Sequence, residues 1–512
     1  MLFKKLEVLG PIAVLLIVSC SQAVGMENFK FHLGSEPKSL DPAQVSLSDS
    51  VGYFYQNIYQ GLYLYQQKKL VPLGSKTCQL HKLTLTCELN PLFKWSDGKV
   101  VQASEYVTAF RHLISYKSKN PIIRILKNLK NASRVFAGEL TEANLGVKAL
   151  GPLRLQFEFD KADPEFLYKL TSPLTAPIRS DQFPKEEDAS KLLVTGPYQI
   201  ETWTKRKRIL LTENPNYIFF KKNKPKVEIF FVDDDQTALL LYESHTLNFL
   251  KTLPTALISE YKGHSDFMQI PMARFDYIGF SEDMRSQPGL TEALALSLDY
   301  EELRKMFFAL GVPGCSSLPD NYMSESVCIK YDLEKAKKIF AGLPKNVREK
   351  RYHLAFSNYD RDDVSRGMQW MAEQWKTHLG LQVELDKLES GVFTAKLKDS
   401  TPDIFRKSVI VDRPTCLSAI ENFSDHGSEA FLKIKSEKIE HVISQMSSPQ
   451  TKKKQQKLCS EALHELIDNF LLIGLGKIHF TILISPQFKN WELNELNGLD
   501  LSRLEFDKPK SQ

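Results

Sequence analysis

Apolar and polar residues alternate in several short stretches of the chain and recur at helical spacing in others. Residues 29–33 and 153–159 alternate with a period of two, which predicts β-strands with one buried face. Residues 103–115 place their apolar side chains on one helical face, with Ser104 as the predicted N-cap. Because strands and helices interleave without a fixed period, the pattern predicts a mixed α/β architecture rather than a repeat protein.

The same patterns predict further elements along the chain. Predicted helices cover residues 50–65, 164–170, 236–244, 363–379, 418–423, 431–446 and 455–470. Predicted strands cover residues 82–89, 198–203, 209–212, 227–231, 352–357 and 382–387, with strands also within 471–484. Two charged runs fall between these elements. We interpret 205–208 as a solvated hairpin tip and 233–235 as a turn in which Asp234 or Asp235 caps a helix.

The amino-terminal residues have the pattern of a secretion signal. Two lysines precede an apolar run over 8–18, which is too short to span a membrane but suits the core of a signal. The run ends in a pattern similar to a bacterial lipobox, which predicts a lipoprotein signal peptide over 1–19 and lipidation of Cys20. Ordinary signal cleavage near Ala23 is the alternative. No later run is long and charge-free enough to span a bilayer, so the lipid anchor is the expected membrane contact.

Composition narrows the class of protein without identifying it. The 512 residues are 42% hydrophobic and 25% charged, with a net charge of +5. These values exclude a polytopic membrane protein, a collagen-like fibre and a mostly disordered chain. The net charge is too weak for its size to indicate a nucleic-acid partner.

The cysteine count favours disulfides in an oxidising compartment. Setting Cys20 aside, six cysteines remain, which is an even number. The expected pairs are Cys78 with Cys87, Cys315 with Cys328, and Cys416 with Cys459. Proximity in the sequence supports the first two pairs, whereas the third follows only by arithmetic; separate buried thiols are the alternative. No cysteine and histidine spacing matches a zinc site, so no metal is predicted.

Sequence templates for catalysis are not matched. The run His464-Glu465-Leu466-Ile467-Asp468 has aspartate where a zincin helix needs its second histidine. The sequence contains no GxSxG elbow and no P-loop. We therefore predict no catalytic residue and no cofactor.

Short motifs in a fixed order carry a resemblance to a known family. They are SEPKSLDP at 35–42, NIYQGL at 57–62, WSDG at 95–98, ASEYV at 103–107, TGPY at 195–198 and ENPNY at 213–217. Over roughly residues 29 to 490, the chain resembles the extracytoplasmic binding subunits of peptide and nickel ABC transporters, in particular the oligopeptide-binding branch.

This resemblance implies a bilobed α/β fold of the periplasmic-binding-protein type, with an extra α/β domain inserted in lobe one. The implied division is 26–58 for the first part of lobe one, 59–180 for the inserted domain, 181–273 for the second part of lobe one, 274–479 for lobe two, and 480–512 for the C-terminal return to lobe one.

The resemblance also implies a ligand-binding site. Asp412 occupies the position of an aspartate that pairs with a peptide's α-ammonium, and Arg406 that of an arginine six residues earlier. An ordinary surface pair at the ends of a strand is the alternative for these two residues. Glu389 belongs to the same site, although Ser390 and Val409 stand where the family often has tryptophan. The expected strand partners of a bound peptide are Val45–Ser48, including Ser46 and Ser48, and Ser408–Ile410, including Val409 and Ile410.

The resulting functional prediction is a lipid-anchored, monomeric, non-enzymatic subunit that binds oligopeptides between two lobes. Its expected partners are the peptide and the permease subunits of an ABC importer, and no nucleic acid is expected. A receptor for a nickel chelate or another small solute, a peptide sensor without transport, and an exported hydrolase on the same scaffold are the alternatives.

Overall fold

The computed structural model describes residues 27–45, 51–115, 126–179, 181, 186–221, 224–306, 314–316, 318–357, 362–424, 431–432 and 434–507. The predicted signal peptide, Cys20, Ser46 and Ser48 lie outside the described residues. Helices and strands interleave along the described chain, as the sequence patterns predict.

The strands and helices have the following bounds. Strands are β1 Phe29–Leu33, β2 Tyr63–Gln66, β3 Lys69–Pro72, β4 Ser75–His81, β5 Thr84–Leu89, β6 Val147–Gly151, β7 Arg154–Glu158, β8 Tyr198–Thr204, β9 Arg208–Glu213, β10 Val227–Phe231, β11 Phe249–Leu250, β12 Phe267–Pro271, β13 Arg274–Phe280, β14 Arg351–Ser357, β15 Gln382–Leu388, β16 Ile404–Ile410, β17 Leu472–Gly474, β18 His479–Ile484, β19 Phe488–Lys489, β20 Glu492–Leu493, β21 Leu499–Asp500 and β22 Glu505–Phe506. Helices are α1 Val51–Ile58, α2 Ala103–Ile114, α3 Ala132–Phe136, α4 Phe166–Lys169, α5 Asp235–Glu243, α6 Ile258–Tyr261, α7 Glu282–Arg285, α8 Leu290–Leu296, α9 Tyr300–Met306, α10 Leu333–Ala341, α11 Lys345–Arg348, α12 Asp362–Leu379, α13 Ser390–Asp399, α14 Cys416–Ile420, α15 Glu437–Met446 and α16 Lys452–Asp468.

A first core gathers apolar side chains from residues 29–249 and again from 480–504. Its four-stranded sheet has the order β1-β10-β9-β8, in which β1 is parallel to β10 and the other pairs are antiparallel. Phe29, Phe31 and Leu33 all point into this core, which explains the period of two along β1. An antiparallel sheet of order β4-β5-β7-β6 adds alternate side chains to the same core.

A second core is built from residues 273–475. Its five-stranded sheet has the order β15-β14-β16-β13-β17, with β14 parallel to both neighbours and β13 antiparallel to both. Apolar residues of α12 and α16 pack in this core. The side chain of Trp375 in α12 is fully buried. Its indole N–H donates a hydrogen bond to the carbonyl of Leu294 at 3.0 Å, so the one polar group of this side chain has a partner.

Two short segments, one before β13 and one after β17, carry the chain between the cores. The amide of Met272 donates to the carbonyl of Ile478 at 2.9 Å, and the amide of Ala273 donates to the carbonyl of Glu495 at 2.8 Å. The return segment continues into β18, which is the central strand of the sheet β11-β18-β12. The domain boundaries implied by the resemblance stay predictions.

The helix predicted over 50–65 is wrong in its second half. Helix α1 ends at Ile58, and the chain then turns into β2, which pairs with β3. The hydroxyl of Tyr65 donates to Glu495 at 2.8 Å, and the side-chain amide of Gln66 donates to the carboxylate of Asp500 at 2.7 Å. These contacts reach the C-terminal part of the chain, so tertiary structure overrides the local helical pattern.

Helix caps were predicted with mixed success. Asp234 caps α5 as predicted, accepting from the amide of Thr237 at 2.7 Å. Ser104 is not the N-cap of α2, because the helix already begins at Ala103 and Gln102 occupies the N-cap position. The helix predicted over 431–446 begins only at Glu437, where the preceding serine caps α15.

The structure contains the three predicted disulfides. Cys78 and Cys87 face each other across β4 and β5. The Cys416–Cys459 bridge, which rested on arithmetic alone, joins α14 to α16. It therefore fastens the segment that follows Asp412 to a long helix of the second core.

Replacing both Cys416 and Cys459 with alanine should lower the free energy of unfolding by about 2–4 kcal/mol, because the unfolded chain regains the entropy of a long loop. The sequence separation is 43 residues for this bridge and 9 for the Cys78–Cys87 bridge. The matching double alanine variant of Cys78 and Cys87 is the control and should lose less. Denaturant titration without reductant measures both losses, and a larger loss in the control would contradict the prediction.

Candidate ligand-binding site

Strand β16 carries three of the predicted site residues and leads directly to Asp412. Strand β13 pairs with β16 along its whole length, whereas β14 pairs only with Ile404 and Phe405. Among the strands that the structure describes, none pairs with 408–410 on the β14 side. This end of β16 therefore offers an edge to which an extended ligand can add as a strand.

The side chain of Val409 does not face this edge. It is 2% exposed and belongs to the second core. Its backbone pairs with Phe275, and that of Ile410 pairs with Arg274. Val409 can therefore serve a ligand only through its main chain.

Asp412 lies on a tight turn between β16 and α14. One oxygen of its carboxylate accepts from the hydroxyl of Ser418 at 2.5 Å, and its amide donates to the same hydroxyl oxygen at 3.2 Å. The helix that holds Ser418 is fixed by the Cys416–Cys459 bridge. The Asp412 side chain remains 38% exposed. The turn thus holds a carboxylate in place and leaves it open to a ligand.

The neighbouring residue, Arg413, is buried and contacts three carboxylates. Its Nε lies 2.9 Å from Oε2 of Glu165 and 3.4 Å from Oδ1 of Asp412, and its Nη2 pairs with Glu421. Burial alone lowers the pKa of Arg413, but the carboxylates of Asp412, Glu165 and Glu421 outweigh it and raise the pKa. The guanidinium is therefore charged and lies in ion-pair contact with all three carboxylates.

Glu165 comes to Arg413 from the part of the chain that builds the first core. It precedes α4, whose Phe166 and the following Leu170 belong to the first core, whereas Arg413 follows a strand of the second. Burial raises the pKa of Glu165 to about 7, although Arg413 and a hydrogen bond from Thr415 act in the opposite direction. The pair Glu165–Arg413 is thus an ion pair that bridges the two cores.

The raised pKa of Glu165 predicts a pH dependence of stability. Its ordinary value is 4.5, so the folded protein keeps a proton that the unfolded chain releases between pH 4.5 and about 7. Stability should therefore fall as pH rises through this window and level off above it. Raising the pH from 5 to 8 should cost the wild type about 2 kcal/mol more than it costs the Glu165→Gln variant. Denaturant titration at both pH values measures the difference, and parallel losses would refute the assignment.

A second polar contact lies within the part of the chain that builds the first core. The hydroxyl of Tyr65 donates to Glu495 at 2.8 Å, and the rings of Tyr65 and Tyr168 meet edge to face at 6.2 Å. Tyr322 of the second core is 5% exposed, and its hydroxyl has no hydrogen-bond partner within the described part of the chain. Burial raises the pKa of Tyr322. The charge of Glu495 adds to this effect, followed by weaker effects that include the charge of Glu165.

The structure places Arg406 in a different setting from Asp412. Arg406 is mostly buried in β16, and its Nη2 pairs with Asp276 of β13, which is fully buried. Arg274 contacts the same carboxylate, with its Nε 2.8 Å from Oδ2. Arg406 is thus committed to an ion pair within the sheet, and its role toward a ligand stays a prediction.

Glu389 caps helix α13. Its carboxylate accepts from the amides of Gly391 and Val392 at 2.7 and 3.0 Å. These two N–H groups lower the pKa of Glu389. The capping contact explains a glutamate at this position without a ligand, so its binding role also stays a prediction.

Of the segment 45–48, the structure describes Val45. It is buried and follows a short 3₁₀ turn, Pro42–Gln44, which Asp41 caps. His112 of α2 holds the carboxylate of Asp41, with Nε2 2.9 Å from both oxygens. The turn that leads into the predicted strand partner is therefore fixed from α2.

Sequence reasoning missed Glu165, Arg413 and Tyr322. For Arg413 there was one signal, namely an arginine directly after the predicted ligand aspartate. No local pattern marks Glu165, because it comes to Arg413 from a distant part of the chain.

Other features of the described residues do not extend this site. No group of three or more His, Cys, Asp or Glu side chains among them is arranged to hold a metal ion. None of the helices they form has the length and apolar character that a membrane crossing requires. A surface cavity of about 670 Å³ is lined by residues of α8, α10 and the end of α16 rather than by β16.

Comparison with known proteins matches the chain to solute-binding proteins. Residues 80–430 match the middle region of the bacterial extracellular solute-binding proteins, family 5. The dipeptide-binding protein of Lactococcus lactis is 25% identical over 298 residues, which are 55% of this chain and 54% of that protein, so the chain spans about half the length of this relative. The probable deoxycholate-binding periplasmic protein YgiS of Escherichia coli is 21% identical over 70% of this chain and 71% of the relative. The oligopeptide-binding protein OppA of Bacillus subtilis is 24% identical over 78% of each chain.

Solved structures show the same fold. The murein tripeptide-binding protein MppA of Escherichia coli superposes with a TM-score of 0.77 at 18% identity, covering 95% of this chain and 99% of that one. The oligopeptide-binding protein OppAIV of Borrelia burgdorferi gives a TM-score of 0.75 at 20% identity, covering 93% and 99%. The chain therefore has the bilobed α/β fold of periplasmic solute-binding proteins, as the sequence predicts.

Proposed function

As the chain belongs to the bacterial extracellular solute-binding proteins of family 5, we propose that it captures peptides between its two lobes and delivers them to an ABC importer. The observation that carries this proposal is the edge of β16 beyond its pairing with β14, which runs directly into the carboxylate of Asp412. An extended peptide needs a strand partner for its backbone and an acceptor for its α-ammonium. The free end of β16 and the carboxylate of Asp412, which meet these two needs, are adjacent. Dipeptide-binding and oligopeptide-binding are also the names of two relatives.

The proposed binding mode uses the main chain of the ligand. A peptide adds along Ser408–Ile410 of lobe two, and the segment beginning at Val45 contacts it from lobe one. Backbone hydrogen bonds are common to all peptides, so this mode tolerates many side chains. In the proposal Asp412 pairs with the α-ammonium, and Arg406 and Glu389 contribute to the same cleft once the lobes close.

Native mass spectrometry of the purified protein tests the ligand class. We expect mass additions that tandem spectra identify as short peptides, because a buried ligand with paired charges dissociates slowly. Asp412→Asn should lose most of these additions, whereas the matched control Asp403→Asn should keep them, since Asp403 precedes the same strand but pairs with the exposed Lys350. Additions that are metal chelates or other small solutes, with no peptide among them and none acquired on incubation, would contradict the proposal.

We further propose that the protein is exported and anchored to the membrane by lipid on Cys20. The support is the apolar run over 8–18 that ends in a lipobox-like pattern. Such an anchor would keep the binding protein near the permease that receives the peptide.

The anchor is tested by changing Cys20 to alanine. The mature protein should then move from the membrane fraction to the soluble fraction, because one residue carries the lipid. Ser21→Ala, next to the acceptor, is the control and should stay with the membrane. Immunoblots of the two fractions measure the distribution. Normal cleavage with unchanged membrane retention of the Cys20 variant would contradict the anchor.

A further inference from the structure

We propose that the surface cavity of lobe two binds a small phosphate monoester, at a site separate from the peptide cleft. The cavity has a volume of about 670 Å³, a size typical of small-molecule sites. Its walls come from the ends of α7 and α16, from α8 and α10, and from residues 328–330. Neither β16 nor Asp412 lines it. The inference therefore does not depend on the proposed peptide-binding function.

Arg285 places a half-buried cation on the cavity wall without an anionic partner. Its Nη1 and Nη2 donate to the main-chain carbonyls of Phe280 and Leu432. Within the described part of the chain, no carboxylate forms an ion pair with this guanidinium. Glu282 of the same helix pairs instead with Lys435, at 3.3 Å. Burial lowers the pKa of Arg285, but the side chain stays charged at neutral pH, so an anion in the cavity would stabilise it.

Two further donors line the same cavity. Lys330 is exposed, and among the residues that the structure describes it pairs with no carboxylate. Thr291 is 7% exposed, and its hydroxyl has no hydrogen-bond partner in the described ranges. A hydroxyl that is unpaired in a largely buried residue favours a polar ligand. Arg285, Lys330 and Thr291 thus offer two positive charges and a hydroxyl to one cavity.

The carboxylates on the cavity wall already have cationic partners. Glu292 lies 2.8 Å from Nζ of Lys335, and Asp468 lies 2.8 Å from Nδ1 of His464. The hydrogen bond to Asp468 raises the pKa of His464, which favours its charged form. Pairing these groups leaves the charges of Arg285 and Lys330 for a ligand.

The remaining donors match a phosphate monoester. Such a group carries about −1.5 to −2 charge at pH 7, and its terminal oxygens accept three strong hydrogen bonds. Two cations and a hydroxyl balance that charge and serve those oxygens. A guanidinium also binds phosphate through parallel N–H donors. A carboxylate or a phosphodiester brings a single negative charge and would leave one cation of the cavity unbalanced.

Calorimetry of the purified protein with glycerol 3-phosphate at pH 8 tests the site. We expect Arg285→Lys to weaken binding about tenfold or more, because an ammonium replaces the planar fork of donors. Thr291→Val should weaken it severalfold, since valine has no hydroxyl. Lys330→Gln should weaken it about three- to tenfold. Lys330 is exposed, so this variant keeps the test open even if Arg285→Lys unfolds the protein.

Lys338→Gln is the matched control. Lys338 is an exposed lysine of α10 that does not line the cavity, so its loss should leave the affinity at the wild-type value. Wild-type binding that Lys330→Gln weakens and Lys338→Gln does not would support a site for a soluble phosphate ester. Equal losses in the two lysine variants would overturn the site.

A lipid headgroup could supply the same phosphate monoester. Cosedimentation with phosphatidic acid vesicles tests this source, with phosphatidylcholine vesicles as the blank and with Cys20→Ala protein, so that the proposed lipid anchor does not contribute. Binding to phosphatidic acid alone, with the same pattern among the lysine variants, would support the site with a lipid ligand. If neither glycerol 3-phosphate nor phosphatidic acid binds, the site is refuted and the peptide-binding proposal is unaffected.

Discussion

Replacing Asp412 with asparagine should weaken the binding of a short peptide by about two to three orders of magnitude. Removing one partner of a buried charge pair typically costs about 3–5 kcal/mol, and each 1.4 kcal/mol is about tenfold in affinity. The fold should survive, because asparagine keeps an oxygen that accepts from the hydroxyl of Ser418. Calorimetry on the wild type and the variant measures the loss, and thermal unfolding checks the fold.

N-acetylation of the peptide provides the matching change on the ligand. It should reproduce most of the loss on the wild type and add little on the Asp412→Asn variant, because both changes remove the same interaction. The four titrations give the coupling between the carboxylate and the ammonium directly. If the wild type binds acetylated and free peptides equally, Asp412 does not accept the amino terminus.

Replacing Arg413 with methionine should lower the free energy of unfolding by about 3–5 kcal/mol at pH 8. The guanidinium is 4% exposed and is the cation shared by Glu165, Asp412 and Glu421. Without it, the buried Glu165 is left beside two other carboxylates. Denaturant titration measures the loss. Arg351→Met is the control, because Arg351 also pairs with a glutamate, Glu384, but both side chains are exposed, and it should cost about 1 kcal/mol or less.

The cause of this loss is tested by a second substitution. Adding Glu165→Gln to Arg413→Met removes the stranded charge and should recover part of the stability. The pH dependence should change as well, since without Arg413 the pKa of Glu165 has no guanidinium to lower it. A double variant as unstable as the sum of its parts would show that Arg413 acts through packing of its stem rather than through charge.

Local sequence predicted the structure correctly where residues adjacent in the sequence determine the conformation. The cap at Asp234 and the hairpin tip at 205–208 follow from residue types that favour those conformations, and both are confirmed. Helix α1 shows the opposite case. The pattern over 50–65 is helical, yet the chain after Ile58 pairs with β3 and binds the C-terminal residues Glu495 and Asp500. No local pattern contains those distant partners.

The same difference between local and distant contacts applies to the residues of the candidate site. The resemblance predicts a ligand-binding role for Asp412 and the strand before it, because both belong to one continuous segment with intact spacing, and that role stays a prediction. It also pointed to Arg406, but the strand register decides that this residue meets Asp276. Glu165 and Arg413 meet only because the two lobes approach each other. That contact depends on the whole fold, and no motif encodes it.

The placement of β18 has a consequence for the order in which the chain folds. This strand comes from the C-terminal return, yet it lies between β11 and β12 at the centre of its sheet. The first core also draws apolar residues from beyond 480, whereas the second is complete by residue 475. As the chain emerges amino end first, lobe two can therefore finish folding before lobe one, although lobe one begins earlier. Until the last segment arrives, β11 and β12 lack their shared partner, and lobe one exposes unpaired strand edges of the kind that extracytoplasmic chaperones cover.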